Sequence, residues 1–270
     1  MTKQGEKCNM SGMNQIELAI KAAGTAGNIH MKYFQKEFRK EAKSVPFDLV
    51  TVADLEAEKE IVSIIRGAYP DHNILAEENV YNKTASEYTW IIDPLDGTNN
   101  FASGLPIFCV SIALARNDEI LLGAIYDATR GELFTAEKGS GAYLNERRIS
   151  VTKIDRLEDA LLVTGFYYDR GEDMIENLER IKRFLVGGIL GVRRLGAAAL
   201  DLAYVASGRA SGFWEFILSP WDFAAGKVIV EEAGGKVTGR HGEPIGIRTK
   251  PFVVASNSRI HDQILAVLNS

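Results

Sequence analysis

The chain is poor in the residues that build covalent or imidazole-based sites. Its 270 residues include two cysteines, Cys8 and Cys109, and four histidines, His30, His72, His241 and His261. Two distant cysteines make neither a disulfide framework nor a CxxC pair nor a Cys-rich zinc site, so a reducing compartment is expected. The histidines are scattered without ligand spacing or a nucleophile partner and read as structural or exposed. Nowhere does an apolar run of about 18 residues occur, and Lys3, Glu6 and Lys7 have no apolar stretch behind them, so no membrane partner is expected. Basic excess is missing as well. Subtracting 36 Asp plus Glu from 31 Lys plus Arg leaves a net charge of -5, which argues against a polyanion-binding surface and against nucleic acid as a partner. Repeats, low-complexity tracts and flexible linkers are lacking. What is there, 46% hydrophobic and 25% charged, is ordinary globular composition with enough length for a sizeable core, expected in a soluble, cytoplasmic protein.

Residues 1–12 read as a frayed tail without function, because Gly5, Asn9 and Gly12 break any period. From Met13 to Phe34 apolar residues recur at three and four positions, as a core-facing helix requires. Lys36 to Lys43 is dense in charge and precedes Val45-Pro46, which predicts an exposed loop able to move. A second helix is expected from near Asp54 to Ala68, where Asp54 suits an N-cap. Short apolar segments follow at 73–76, 89–92, 107–115, 120–126 and 133–136. Turn signals separate the later ones and predict a largely antiparallel meander. Past residue 150 the pattern becomes a strand at 160–164 and helices at 173–184 and 197–207. A further helix opens at Ser219-Pro220 and ends at Gly234-Gly235. The expected fold class is α+β, with an α+β half over 13–150 and an α/β half over 151–270 sharing a long interface. A cleft between them is the natural site.

The most informative stretch is Trp90-Ile91-Ile92-Asp93-Pro94-Leu95-Asp96-Gly97-Thr98. An apolar strand ends in Asp93, Pro94 turns the chain, and Asp96 follows beside a glycine that permits a tight bend, so two carboxylates converge. Pro94 lacks an N–H and leaves the Leu95 carbonyl as a further hard oxygen, a donor set that favours magnesium over zinc. A helix opening at Gly97-Thr98 would aim unpaired N–H groups into the same space, where phosphate oxygens could sit. For Asp96 alone, an ordinary helix-capping Asp-Gly turn explains the sequence equally well. Glu77 and Glu78 at the end of one strand candidate, and Asp222 in the first turn of the Ser219-Pro220 helix, extend the set to the spread carboxylates of a multi-metal site. Spacing does not choose between Glu77 and Glu78, since neighbouring strand residues face opposite ways.

Asp93-Pro94-Leu95-Asp96-Gly97-Thr98, with Glu77-Glu78 upstream and Pro220-Trp221-Asp222-Phe223-Ala224-Ala225-Gly226 downstream, resembles the inositol monophosphatase family, magnesium-dependent and lithium-sensitive phosphomonoesterases. The resemblance runs from about Ile16 to the carboxyl end. It implies a layered αβαβα sandwich, usually as a homodimer. It also implies two to three Mg2+ ions: a first on Glu77, Asp93 and the Leu95 carbonyl, a second on Asp93, Asp96 and Asp222, and a weaker third sharing Glu77. Thr98 and Glu77 are then expected to orient the attacking water with support from Asp54. Gly97 and Thr98 would offer N–H groups to phosphate, alongside Asp96 and Asp222 at the substrate. Gly196, Ala197, Ala198 and Glu215 match where the family holds the alcohol.

The substrate so implied is a small phosphorylated metabolite, inositol 1-phosphate first. Fructose 1,6-bisphosphate, histidinol phosphate and nucleotide 2′- or 3′-phosphates are the alternatives on the same fold, and a non-catalytic scaffold is the alternative of another class. Departures fall on the alcohol side. Ala197 stands where Ser or Thr is common, Asn99 replaces a frequent Thr, and Ser103-Gly104 stands where a His often follows. Arg193 and Arg194 suit a second phosphate, though a surface or inter-subunit ion pair is the commoner role. Lys43 suits an approach to the third ion, though a solvated surface lysine is commoner.

Overall fold

The computed structural model describes residues 13–36, 40–42, 49–166 and 171–270. Helix α1 (Gln15–Tyr33) starts on a capping box between Asn14 and Glu17, and its alanine-rich face is buried. Strands β1 (Lys40–Ala42) and β2 (Leu49–Thr51) pair antiparallel. The stretch Lys36–Lys43 is therefore not loop throughout, because backbone pairing to the Leu49–Thr51 segment overrides its polar composition. Lys43 and residues 1–12 lie outside the described residues. Helix α2 (Val52–Ala68) is capped by Thr51, with Asp54 at the third helical position of the box. The sequence expectation of Asp54 as N-cap is corrected by one turn: Thr51 is β-branched and extended, as an N-cap must be, and Asp54 reaches back to it.

A seven-stranded sheet follows in sequence order: β3 (Asn73–Ala76), β4 (Tyr88–Asp96), β5 (Cys109–Arg116), β6 (Glu119–Asp127), β7 (Glu132–Glu137), β8 (Gly141–Leu144) and β9 (Arg147–Arg148). Only the β3–β4 pairing is parallel; the rest is the expected meander. Strand β4 does not stop at Asp93. Its pairing to β5 runs Asp93 with Ser111 and then Asp96 with Cys109, so Pro94 and Leu95 form a bulge opposite one residue. The short helix α3 (Thr98–Ala102) follows at once from Gly97, whose φ of 90° suits glycine.

The remaining elements are β10 (Leu161–Thr164), α4 (Glu172–Val186), β11 (Gly191–Arg193), α5 (Ala198–Ala206), β12 (Gly212–Glu215), α6 (Pro220–Glu232), β13 (Lys236–Thr238), β14 (Val253–Ser256) and α7 (His261–Leu268). Their sheet has the order β11-β10-β12-β14-β13, parallel around β10 and antiparallel around β14. Three large apolar layers join the sheets and helices, and a smaller cluster gathers Ala53, Leu95, Phe101 and Phe108. One lies between α1, α2 and the large sheet, including Leu18, Ile61, Trp90 and Ile112. A second fills the space around α5 and α6 between the two sheets, including Ile125, Leu202, Phe213 and Phe223. A third packs α4 and α7 on the outer face of the smaller sheet, around Phe184, Trp214 and Ile264. The result is a five-layer αβαβα sandwich. Among the described residues no helix is long and apolar enough to cross a membrane.

Candidate active site

Four acids reach one cavity by four separate local devices. Glu77 follows β3, and its amide donates to the Ile92 carbonyl, which fixes it beside Asp93 on the neighbouring strand. Asp93 and Asp96 flank the β4 bulge; the Asp93 carboxylate accepts from the Leu95 amide at 3.0 Å. Asp96 accepts from the first amides of α5, Ala198 at 3.2 Å and Ala199 at 2.7 Å, and lies 3.7 Å from the Cys109 sulfur. Asp222 sits at the third position of α6 and accepts from the Ser219 amide at 2.7 Å. The Trp221 carbonyl accepts from the Ser111 hydroxyl, and Ser111 pairs with Asp93, so the α6 start is tied to the same point of the sheet.

The cavity is about 280 Å³. Its acidic wall is Glu77, Asp93, Asp96 and Asp222 with Leu95, Gly97, Thr98 and Asn99 beside them. Gly165, Phe166, Arg194, Gly196, Ala198, Glu215 and Lys250 line the same cavity. Glu77 lines it and Glu78 does not; the Glu78 amide instead donates to the buried Glu58 carboxylate at 2.9 Å. Ala197 and Arg193 are likewise not part of the wall, although Ala197 packs against it from the core. Asp54 stands one layer behind. It holds Thr51 as a capping partner and accepts from the Thr98 hydroxyl at 3.0 Å, while the same hydroxyl lies 2.9 Å from the Leu95 carbonyl. Glu215 leans across Gly165 so closely that a methyl group there would collide with its carboxylate.

Burial raises the Asp93 carboxyl well above the usual carboxylate range, and repulsion from Glu77, Asp96 and Asp222 adds to it. Asp96 is pushed up to about 6 by burial, against the opposing pull of the Ala199 and Ala198 amides. Asp222 is raised well above its ordinary value by enclosure at the cavity wall, then by Glu77 and Asp96. Enclosure and Asp96 push Glu215 up to about 8, while Arg194 works in the other direction. A side-chain hydrogen bond links Asp93 to Glu77. Among the described residues no three acidic, imidazole or thiol groups stand at the spacing of a finished ion cage. The donor chemistry nevertheless fits a hard divalent cation: the wall offers oxygen only, and it is enclosed, with its mutual repulsion only partly relieved by helix amides.

Sequence reasoning missed several supporting residues. His30 reaches the Pro94 carbonyl from α1 at 2.8 Å, Cys109 lies against Asp96, and Lys250 joins Arg194 in lining the cavity. His30 and Lys250 lie far along the chain from the acidic motif, and a buried His or Cys in an apolar element reads as core. The only local signal was Ser219-Pro220, which announced the helix start that carries Asp222.

The family model described as the inositol monophosphatase family matches residues 13–270. The Nus factor SuhB of Pseudomonas aeruginosa is 42% identical over 94% of this chain and 95% of its own length. The fructose-1,6-bisphosphatase/inositol-1-monophosphatase of Thermotoga maritima is 40% identical over 95% and 96%. Among solved structures, the suhB protein of Bartonella henselae superposes with a TM-score of 0.89 at 39% identity, covering 94% of this chain and 98% of that one. An IMPase/NADP phosphatase solved with Mg2+ and phosphate superposes at 0.83 with 26% identity, covering 94% and 95%. Whole-length sequence likeness and the shared five-layer fold agree: the chain belongs to the inositol monophosphatase family, a family of phosphatases.

Proposed function

We propose that this protein is a magnesium-dependent phosphatase that hydrolyses a small phosphate monoester, inositol 1-phosphate before the other candidates. The observation that carries it is the convergence of Glu77, Asp93, Asp96 and Asp222 on one cavity that Arg194 and Lys250 also line. In this proposal residues 13–150 supply the acidic wall except Asp222, and residues 151–270 supply Asp222 and the alcohol side.

Two to three Mg2+ ions held by Glu77, Asp93, the Leu95 carbonyl, Asp96 and Asp222 would offset phosphate charge and acidify water. The chain's own groups do the positioning. Asp54 accepts the Thr98 proton, which leaves the hydroxyl's lone pairs for a water in the cavity; Glu77 is the second acceptor for that water. Gly97 and Thr98, at the bend that opens α3, would offer their amides to the phosphate. The Ala198 and Ala199 amides serve differently, since both are given to Asp96, so Gly196 and Glu215 are left as the polar alcohol contacts.

Relatives named Nus factor SuhB give a second reading on the same fold, a binding role beside catalysis. Catalysis comes first for this chain because each acid expected of the family is present. The test is phosphate release from inositol 1-phosphate, fructose 1,6-bisphosphate, histidinol phosphate and adenosine 3′,5′-bisphosphate, with magnesium titrated and lithium added. The expected result is magnesium-dependent, lithium-inhibited release, fastest from inositol 1-phosphate. No release from any of the four at saturating magnesium overturns it.

A further inference from the structure

We infer that His30 is a positioning residue that orients the Leu95 carbonyl toward the cavity by holding its neighbour, the Pro94 carbonyl, from behind. The inference rests on the proposed role of the Leu95 carbonyl as an ion ligand. His30 lies in the last turns of α1 and is 0% exposed. Its Nε2 is 2.8 Å from the Pro94 oxygen. A carbonyl only accepts, so Nε2 carries the proton and Nδ1 holds the lone pair. Nδ1 has no hydrogen-bond partner, and Phe101 and Phe108 meet the ring edge-on at centroid distances of 6.2 and 5.7 Å. The contact to Pro94 is thus the polar tie of an imidazole otherwise set among aromatic rings.

The geometry of the bulge explains why that tie matters. Asp93 pairs with Ser111 and Asp96 with Cys109, so the Pro94–Leu95 pair leaves the regular ladder. Off the ladder, a buried carbonyl needs another donor, and the peptide can rotate to find one. The Pro94 oxygen is tied to α1, and the next carbonyl, that of Leu95, lies 2.9 Å from the Thr98 hydroxyl, both residues lining the cavity. Asp93 restrains the same peptide through the Leu95 amide. One imidazole therefore restrains the bulge that carries the Leu95 oxygen.

The test compares His30→Leu and His30→Phe, which cannot donate, with His30→Gln, whose carboxamide can. Magnesium affinity is measured by calorimetry, and amide exchange is followed at Leu95 in the metal-free protein with Ile112 as a control. Both non-donor variants are expected to bind Mg2+ about tenfold more weakly or worse, the scale seen when a ligand's supporting partner is removed. Their Leu95 amide should exchange faster while Ile112 is unchanged, and Gln should recover most of both effects. A purely structural role would lower the thermal midpoint and leave affinity and the Leu95-to-Ile112 contrast untouched, which overturns the inference. So does a Gln variant as impaired as Leu. If the wild-type protein takes up no Mg2+, the proposed function fails on its own, and the exchange comparison still decides whether His30 holds the bulge.

Discussion

Magnesium uptake by this protein should release protons, and its affinity should therefore fall steeply in acid. Three acids of the cavity resist ionisation: Asp96 is pushed up to about 6, and Asp93 and Asp222 lie well above their ordinary values. A divalent ion binds the ionised forms, so each displaced proton contributes one unit to the slope of log affinity against pH below the group's own value. For Asp96 alone, going from pH 7 to pH 5 lowers the ionised fraction from roughly nine-tenths to roughly one-tenth, a loss of about tenfold in apparent affinity. Asp93 and Asp222 steepen it, so the slope should lie between about one and three protons per ion. Calorimetry in two buffers of different ionisation enthalpy gives the proton count directly at each pH. An affinity that stays within about threefold between pH 7 and pH 5, with no buffer-dependent heat, would refute the idea that these carboxyls are the ion's ligands.

Asp222→Asn should keep its fold and lose phosphate release by roughly two orders of magnitude, as single electrostatic elements do, checked by initial rates beside a circular dichroism spectrum. Gly165→Ala should displace Glu215 and raise KM more than it lowers kcat, because the new methyl occupies the place of that carboxylate; an unchanged KM counts against Glu215 as an alcohol contact. Asp201 is 0% exposed, neither carboxylate oxygen has a partner, and burial holds its pKa well above the ordinary range. The unfolded chain then binds fewer protons than the native one above the ordinary Asp value, so this group lowers stability as pH rises. Asp201→Asn should unfold at higher urea than wild type at pH 8, with the advantage shrinking toward pH 4. His261 behaves in the opposite sense: burial lowers it to about 4, so stability is lost as pH falls from the unfolded value of about 6.5. Urea titrations of His261→Gln should show a correspondingly flatter acid limb.

The path of the chain was legible where periodicity and turn chemistry spoke alone. Helix α2, the meander from β5 to β8, and α6 from Ser219-Pro220 all follow the residues that announce them. The Asp93–Asp96 segment was less so. Proline reads as a strand terminator, yet pairing resumes at Asp96 because a bulge is a place where a missing N–H costs nothing. The acidic set was legible because carboxylates next to Pro, Gly and helix starts are unusual in an otherwise apolar context. Its supports were not. The Pro94 partner of His30 is 64 residues away, and no local pattern joins Lys250 to Arg194. Polar contacts between layers depend on register, which the sequence of either partner does not contain.

Placing like charges together in a protein interior is costly, and the fold bears that cost with helix amino termini. Asp96 faces the amino end of α5 and Asp222 the amino end of α6, while Asp54, behind them, accepts from the Thr51 amide at the start of α2. Helix amino termini carry partial positive charge and unpaired N–H groups, so each acid finds donors from its own scaffold. The same amides hold the carboxylates in fixed directions and leave their remaining lone pairs toward the cavity. A ligand that also serves as a cap can be changed to the isosteric amide with the cap kept, whereas alanine removes both. Catalytic loss in the Asp→Asn variants then reports on charge, and the extra instability of an Asp→Ala variant reports on the helix end it leaves open.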